Sequence, residues 1–243
     1  DDILHEHGQT QQAQRHELTL SMLNVTANLS WFINESWILE TTVPVRMVKS
    51  EASFLDSNGL PLEGFGSIHH RNENLVGLSD IILQGKASHR SEMGHDTSLN
   101  STFSLGASIP TGKTEPNPDA LGIAGLRHQH IFFGRGTFAP VAGATLALSL
   151  PTMRLESWLS TVLPFYENEF GYRANKNVSG GLALSSAFGL DGWRFGALFD
   201  VAHDGAAHWA GEPQRNSGRT DLIMGSRVSM RVGETSVVLF EIK

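Results

Sequence analysis

From Leu23 to Trp31 the chain alternates without a break. Leu23, Val25, Ala27, Leu29 and Trp31 fall on one side of an extended backbone, and Asn24, Thr26, Asn28 and Ser30 on the other. Residues 99–109 repeat the pattern: Leu99, Ser101, Phe103, Leu105, Ala107 and Ile109 share one face, Asn100, Thr102, Ser104, Gly106 and Ser108 the other. Weaker alternation recurs over 37–47, 81–87, 142–150, 178–188, 193–201 and 220–230. Two further segments, 155–165 and 236–242, read as strands whose alternation is blurred. Ten strands are predicted, and no segment carries the apolar stripe of an amphipathic helix. The expected class is all-β in one domain, 1–243, with 1–15 as a loop or tail.

The links between these strands alternate in length. Short or medium connections at 34–36, 90–97, 151–154, 189–192 and 232–235 take turns with long ones at 50–76, 110–136, 166–177 and 203–219. An up-and-down transmembrane β-barrel has this asymmetry, with short turns on the periplasmic side and long loops outside. Trp31, Trp37, Trp158 and Trp193 all lie close to short links, whereas Phe165, Tyr166, Phe170 and Tyr172 gather near long ones. Indole and phenol rings favour the boundary between hydrocarbon and water, so the four tryptophans are expected as membrane-interface aromatics at one level of the barrel.

The apolar face of the clearest strands carries no formal charge. The opposite face carries Glu40, Arg46, Asp80, Lys86, Arg194, Asp200, Asp221, Arg227 and Arg231. A Lys or Arg facing lipid at mid-depth costs about 2–4 kcal/mol, so these nine are expected to line the pore, with mixed signs that pair and keep the lumen narrow. A soluble lipocalin-like barrel or sandwich also alternates, with its apolar face inward. The level of the tryptophans, the asymmetry of the links and a count of only five lysines favour the membrane reading. Parity adds an expectation: with the first visible link short, both chain ends fall on the long-loop side. One further strand at each end, twelve in the complete protein, would return them to the periplasm.

Composition narrows the functional classes. Of 243 residues 40% are hydrophobic and 18% charged, less charge than the roughly 25% of soluble domains. With no Cys, a disulfide framework or a Cys-based metal site is excluded. A net charge of −7 without a basic cluster argues against nucleic acid. No run approaches the roughly 18 apolar residues of a membrane-spanning helix, a test that a barrel evades because its signal alternates. The opening Asp1-Asp2-Ile3-Leu4-His5 is polar, so an exported protein is expected here in processed form.

Three short motifs occur in order: Gly77-Leu78-Ser79-Asp80, then Ser108-Ile109-Pro110-Thr111-Gly112, then Gly134-Arg135-Gly136-Thr137. In their order and spacing they resemble outer-membrane channels of the phenol meta-degradation type, the MetA-pathway transporters. Members of that family start one strand with Gly-Leu-Gly-Asp, end the next with Leu-Pro-Thr-Gly and open a third with Gly-x-Gly-Thr after a long loop. The present chain departs in having Ser79 at the Gly position and no aromatic C-terminal residue. The resemblance implies a twelve-stranded barrel with a narrow lumen that passes small, often hydrophobic or aromatic, molecules.

Chemistry beyond a pore is thinly supported. Eleven His residues are present, among them His5, His7, His69, His70, His128, His130, His203 and His208. In an extended chain His128 and His130 point to one side and are the candidate metal pair, set against the ordinary accumulation of His in polar loops. The His-x-Ser-Asn-Gly of outer-membrane phospholipases is absent, while His203, Asp204 and His208 offer the groups that omptin-type proteases use in outer loops. The adjacent glycines Gly180 and Gly181 sit in a strand and point to close packing or curvature, not to a phosphate cradle. The expected function is an outer-membrane channel for small solutes, not an enzyme, in the bacterial outer membrane. Its expected partners are lipid and solute, it needs no cofactor, and residues 112–135 fold into its lumen. The alternatives are a non-conducting barrel with a binding or accessory role in an envelope assembly, and an outer-membrane barrel hydrolase.

Overall fold

A computed structural model describes residues 15–61, 72–128, 130–186, 192–214, 217–232 and 236–242. The chain is an antiparallel sheet that meanders and curls. Its strands are β1 (Arg15–Phe32), β2 (Trp37–Leu55), β3 (Glu73–Leu78), β4 (Ile81–Gly94), β5 (Thr97–Ile109), β6 (Ala139–Ser149), β7 (Met153–Val162), β9 (Asn177–Ser186), β10 (Trp193–Asp204), β13 (Arg219–Val232) and β14 (Ser236–Ile242). Each pairs with the next in this order, except that β3 and β4 both pair with β2. Gly77 stands opposite Arg46 and Lys86 opposite Ile38, so β3 and β4 are one strand interrupted at Ser79 and Asp80. The ten predicted strands are therefore present. Among the described residues β1 and β14 are not paired with each other.

Several boundaries differ from the sequence expectation. The medium link at 90–97 is a tight hairpin, because His95 and Asp96 adopt positive φ of 48° and 56° and let β4 run on to Gly94. The long link at 50–76 is shortened from both sides, since β2 continues to Leu55 and β3 begins at Glu73. A short helix, α1 (Pro118–Ile123), sits in the second long loop, between β5 and β6. Asn117 caps it by accepting from the Asp119 and Ala120 N–H groups at 2.9 and 3.3 Å, with Pro118 in the first turn. The outer loops also hold a small sheet formed by β8 (Tyr172–Arg173), β11 (His208–Trp209) and β12 (Glu212–Pro213).

The polarity of the sheet is the reverse of a soluble protein's. Large apolar side chains stand exposed on the convex face: Leu105 is 70% exposed, Phe103 65% and Met224 79%. The concave face carries most of the polar and charged residues, and the main buried apolar cluster among the described residues is small, Ala139, Val141 and Val162 with Ile82 against them. A soluble barrel of this length would bury its Leu and Phe and expose its Arg. This arrangement suits hydrocarbon outside, and the fold is that of an up-and-down outer-membrane β-barrel.

Candidate functional site

The pleat assigns Glu40, Arg46, Lys86, Arg194, Asp200, Asp221 and Arg227 to the concave face. On β1 and β2, partners Asn24–Arg46, Asn28–Thr42 and Ser30–Glu40 stand directly opposite on that face. They bond as a polar ladder: Arg46 Nε donates to Asn24 Oδ1 at 3.0 Å, Thr42 to Asn28 at 2.8 Å, Ser30 to Glu40 at 3.3 Å. Lys86 of β4 reaches Glu40 at 2.6 Å. On the other wall Glu156 of β7 accepts from Arg154 at 2.7 Å and from Arg227 of β13. Two strands, β9 and β10, lie between β7 and β13, so the Glu156–Arg227 contact requires the sheet to curl sharply here. The curl has room because Gly181 stands opposite Trp158: a Cβ at 181 would lie 2.5 Å from the indole and 2.5 Å from Asp200 Oδ1.

Asp80 behaves differently from the open pore-lining carboxylate expected of it. Its side chain is 1% exposed. One oxygen accepts from the Gly112 N–H at 3.1 Å and the other from the Arg135 N–H at 2.8 Å, with the Arg135 guanidinium 3.6 Å away. Asp80 thus grips both stems of the loop between β5 and β6. Thr111 completes the grip, donating to the Ser79 carbonyl at 2.9 Å and accepting from the Ile81 N–H at 3.0 Å. The stems touch: a Cβ at Gly112 would lie 2.6 Å from Gly134 Cα. Gly77 is flush with the Phe133 ring, 2.8 Å from a Cβ there. The three motifs noted in the sequence therefore meet at one place, the anchor of this loop.

The loop itself turns inward. Arg46, on the concave face, donates from Nη1 to the Phe132 carbonyl at 3.4 Å. The Phe132 ring packs on Tyr172 at 5.4 Å and Trp209 at 6.1 Å, and these two lie 4.8 Å apart. Three long loops are thereby joined at the mouth. Burial there pushes the Tyr172 phenol above its ordinary value, an effect the nearby Arg135 cation partly offsets.

The remaining expected residues fall as follows. Asp221 pairs with Arg219 at 3.0 Å at the long-loop end. Arg194 and Asp200 share the concave face of β10; Asp200 is buried, and Arg194 has a buried Nη1 without a hydrogen-bond partner. The Arg231 backbone is in register on the Arg227 face, but its side chain lies outside the described residues. Trp31, Trp37 and Trp193 stand on the convex face, the last stacked on Phe195 at 6.2 Å. Trp158 does not. The register Thr145–Trp158–Gly181 turns it inward with Glu156, which corrects its assignment as an interface aromatic. Arg135 enters from the sequence only through its motif, and Arg154 and Glu156 carry no assignment from it. Their signal was faint: Arg154, Glu156 and Trp158 form one face at i, i+2, i+4, masked because Ser157 and Thr161 interrupt the apolar face opposite.

His128 is buried and lies edge-on to His130 at 5.1 Å, with Nδ1 2.9 Å from the Leu126 carbonyl. Among the described residues no group of three His, Asp or Glu is placed to hold a metal ion. His5, His7, His69 and His70 lie outside the described residues. His203 and Asp204 diverge: His203 is exposed and bonds Thr220 at 2.9 Å, whereas Asp204 turns the other way to Asn177 at 2.8 Å.

No protein-family model matches this chain. No curated protein matches it at a significant level. Among solved structures, the chain is similar to the crystal structure of an outer membrane channel from Pseudomonas putida F1, with a TM-score of 0.51 at 12% identity. The match covers 88% of this chain and 71% of that one. At such low identity the likeness bears on the fold alone, that of an outer-membrane β-barrel.

Proposed function

We propose that the chain is an outer-membrane channel of the phenol meta-degradation type that admits small hydrophobic or aromatic solutes. The observation that carries this reading is the inverted polarity: an apolar convex face around a concave face of paired charges, with a loop anchored across the mouth by Asp80. The constriction consists of that loop and of the lumen-face residues Glu40, Lys86, Arg194, Asp200, Glu156 and Arg227. The motif resemblance supports the family, and the fold of the Pseudomonas putida channel supports the role.

Planar-bilayer recording tests the reading directly. Single-channel events are expected, and Arg227→Ala should raise conductance by releasing Glu156 from its cross-lumen contact. A barrel silent at all voltages would refute it. The second reading, a non-conducting barrel with a binding or accessory role, draws on the same pairing of charges, which leaves the wall largely self-neutralised.

A further inference from the structure

The chain as a whole carries −7, yet its concave face is not acidic. Lys86 is matched by Glu40 and Arg135 by Asp80, while Glu156 is shared between two arginines. Among the described residues Arg46 has no such match. Its guanidinium donates to two neutral acceptors, the Asn24 amide oxygen and the Phe132 carbonyl. A guanidinium without a counter-charge in a wall of low dielectric favours an anion, which gains charge-assisted hydrogen bonds to it. Asp80 cannot be that anion, because it is enclosed and already accepts from Gly112 and Arg135.

An aromatic cluster adjoins this cation. The carbonyl that takes Arg46 belongs to Phe132, whose ring meets Tyr172 and Trp209. The cation and the rings are thus brought together from four separate parts of the chain: β2, the loop between β5 and β6, β8 and β11.

We infer that Arg46 and the Phe132–Tyr172–Trp209 rings form a binding site for a small aromatic carboxylate. The carboxylate meets the Arg46 guanidinium, and the ring of the solute lies against the aromatic side chains. The inference rests on the channel reading and narrows its solute class from aromatic to anionic aromatic. It also places recognition at the mouth, where a solute would first meet the inserted loop.

Calorimetric titration of the full chain in detergent micelles tests it, with benzoate compared against benzyl alcohol, a neutral solute of similar size. Native protein is expected to bind benzoate more tightly by about tenfold or more, the range of one or two charged hydrogen bonds. Arg46→Gln should abolish this preference. Arg46→Lys should keep part of it, and Arg90→Gln, at the opposite end of the barrel, should keep all of it. Equal affinity of native protein for the two solutes would overturn the site, and needs no variant to be observed. So would a preference that survives Arg46→Gln in protein whose heat-modifiable gel migration shows a folded barrel. Bilayer recording separates the two readings. A conducting protein indifferent to benzoate sinks the site and leaves the channel, while a silent barrel that prefers benzoate sinks the channel and leaves the site.

Discussion

Replacing Asp80 by Ala removes the acceptor that joins both stems of the inward loop to the barrel wall. Two backbone N–H groups, of Gly112 and Arg135, then lose a carboxylate partner in a place closed to water. Hydrogen bonds to a charged acceptor contribute about 1.5–3 kcal/mol each, so the pair amounts to about 3–6 kcal/mol. The Arg135 guanidinium adds little to this, at 3.6 Å and with its side chain partly open to solvent. The strands on either side keep their own ladders, β4 with β5 and β5 with β6, so the loss falls on the docking of the loop and not on the barrel.

Hydrogen exchange measures this free energy where it acts. If docking of the loop is what protects the Gly112 and Arg135 amides, Asp80→Ala should accelerate their exchange by about 100-fold or more, while amides in β5 and β6 stay protected. Single-channel conductance should rise in the same protein, since an undocked loop no longer spans the mouth. Asp80→Asn retains one acceptor oxygen and should fall between the two. Unchanged exchange at both stems in a folded Asp80→Ala barrel would refute the idea that this carboxylate anchors the loop.

Three further outcomes follow from the same geometry. Leu105→Arg places a charge on the convex face, where Leu105 is 70% exposed, and should lower the stability of the membrane-inserted barrel by about 2–4 kcal/mol, read from its unfolding in vesicles. Gly112→Ala puts a methyl 2.6 Å from the Gly134 backbone, which cannot yield as a side chain could, and should reproduce the conductance and exchange changes of Asp80→Ala. In a Tyr166→Phe protein the remaining tyrosine, Tyr172, should ionise above the ordinary value of about 10, followed by phenolate absorbance. Because the neutral phenol is the form favoured in the fold, the loop cluster should lose stability as pH rises from that ordinary value through the folded one, and show no change below it.

Much of this architecture is legible in the sequence because a barrel wall separates two solvents at every residue. Leu105 and Ser104 meet hydrocarbon and lumen respectively, so period two records the environment directly. The record fails at Trp158. Its neighbour Ser157 breaks the apolar face, and nothing within β7 says that the wide side chain is accommodated by Gly181 on the next strand. It fails again at Asp80, whose place on the polar face is right but whose role depends on Gly112 and Arg135, dozens of residues away. Local periodicity reports which side a residue faces. It cannot report what a loop brings to that side.

That distinction also explains the distribution of charge over the lumen wall. An ion on a curled sheet with lipid behind it feels a lower dielectric than one in water, so an uncompensated charge is expensive and neighbours of opposite sign are favoured. Lys86 and Glu40 meet this condition between strands that are adjacent in the sheet, and Arg227 and Glu156 meet it across two intervening strands. Arg46 meets it by neither route, although the adjacent β1 offers Asn24 at a position where a carboxylate would fit the same ladder. A neutral amide there holds the guanidinium in place without cancelling its charge. What remains is a fixed cation beside an aromatic cluster at the entrance, and exchanging Asn24 for Asp should silence it. In Asn24→Asp the benzoate preference should vanish while conductance persists, and a preference left intact would show that the charge on Arg46 is not what the solute reads.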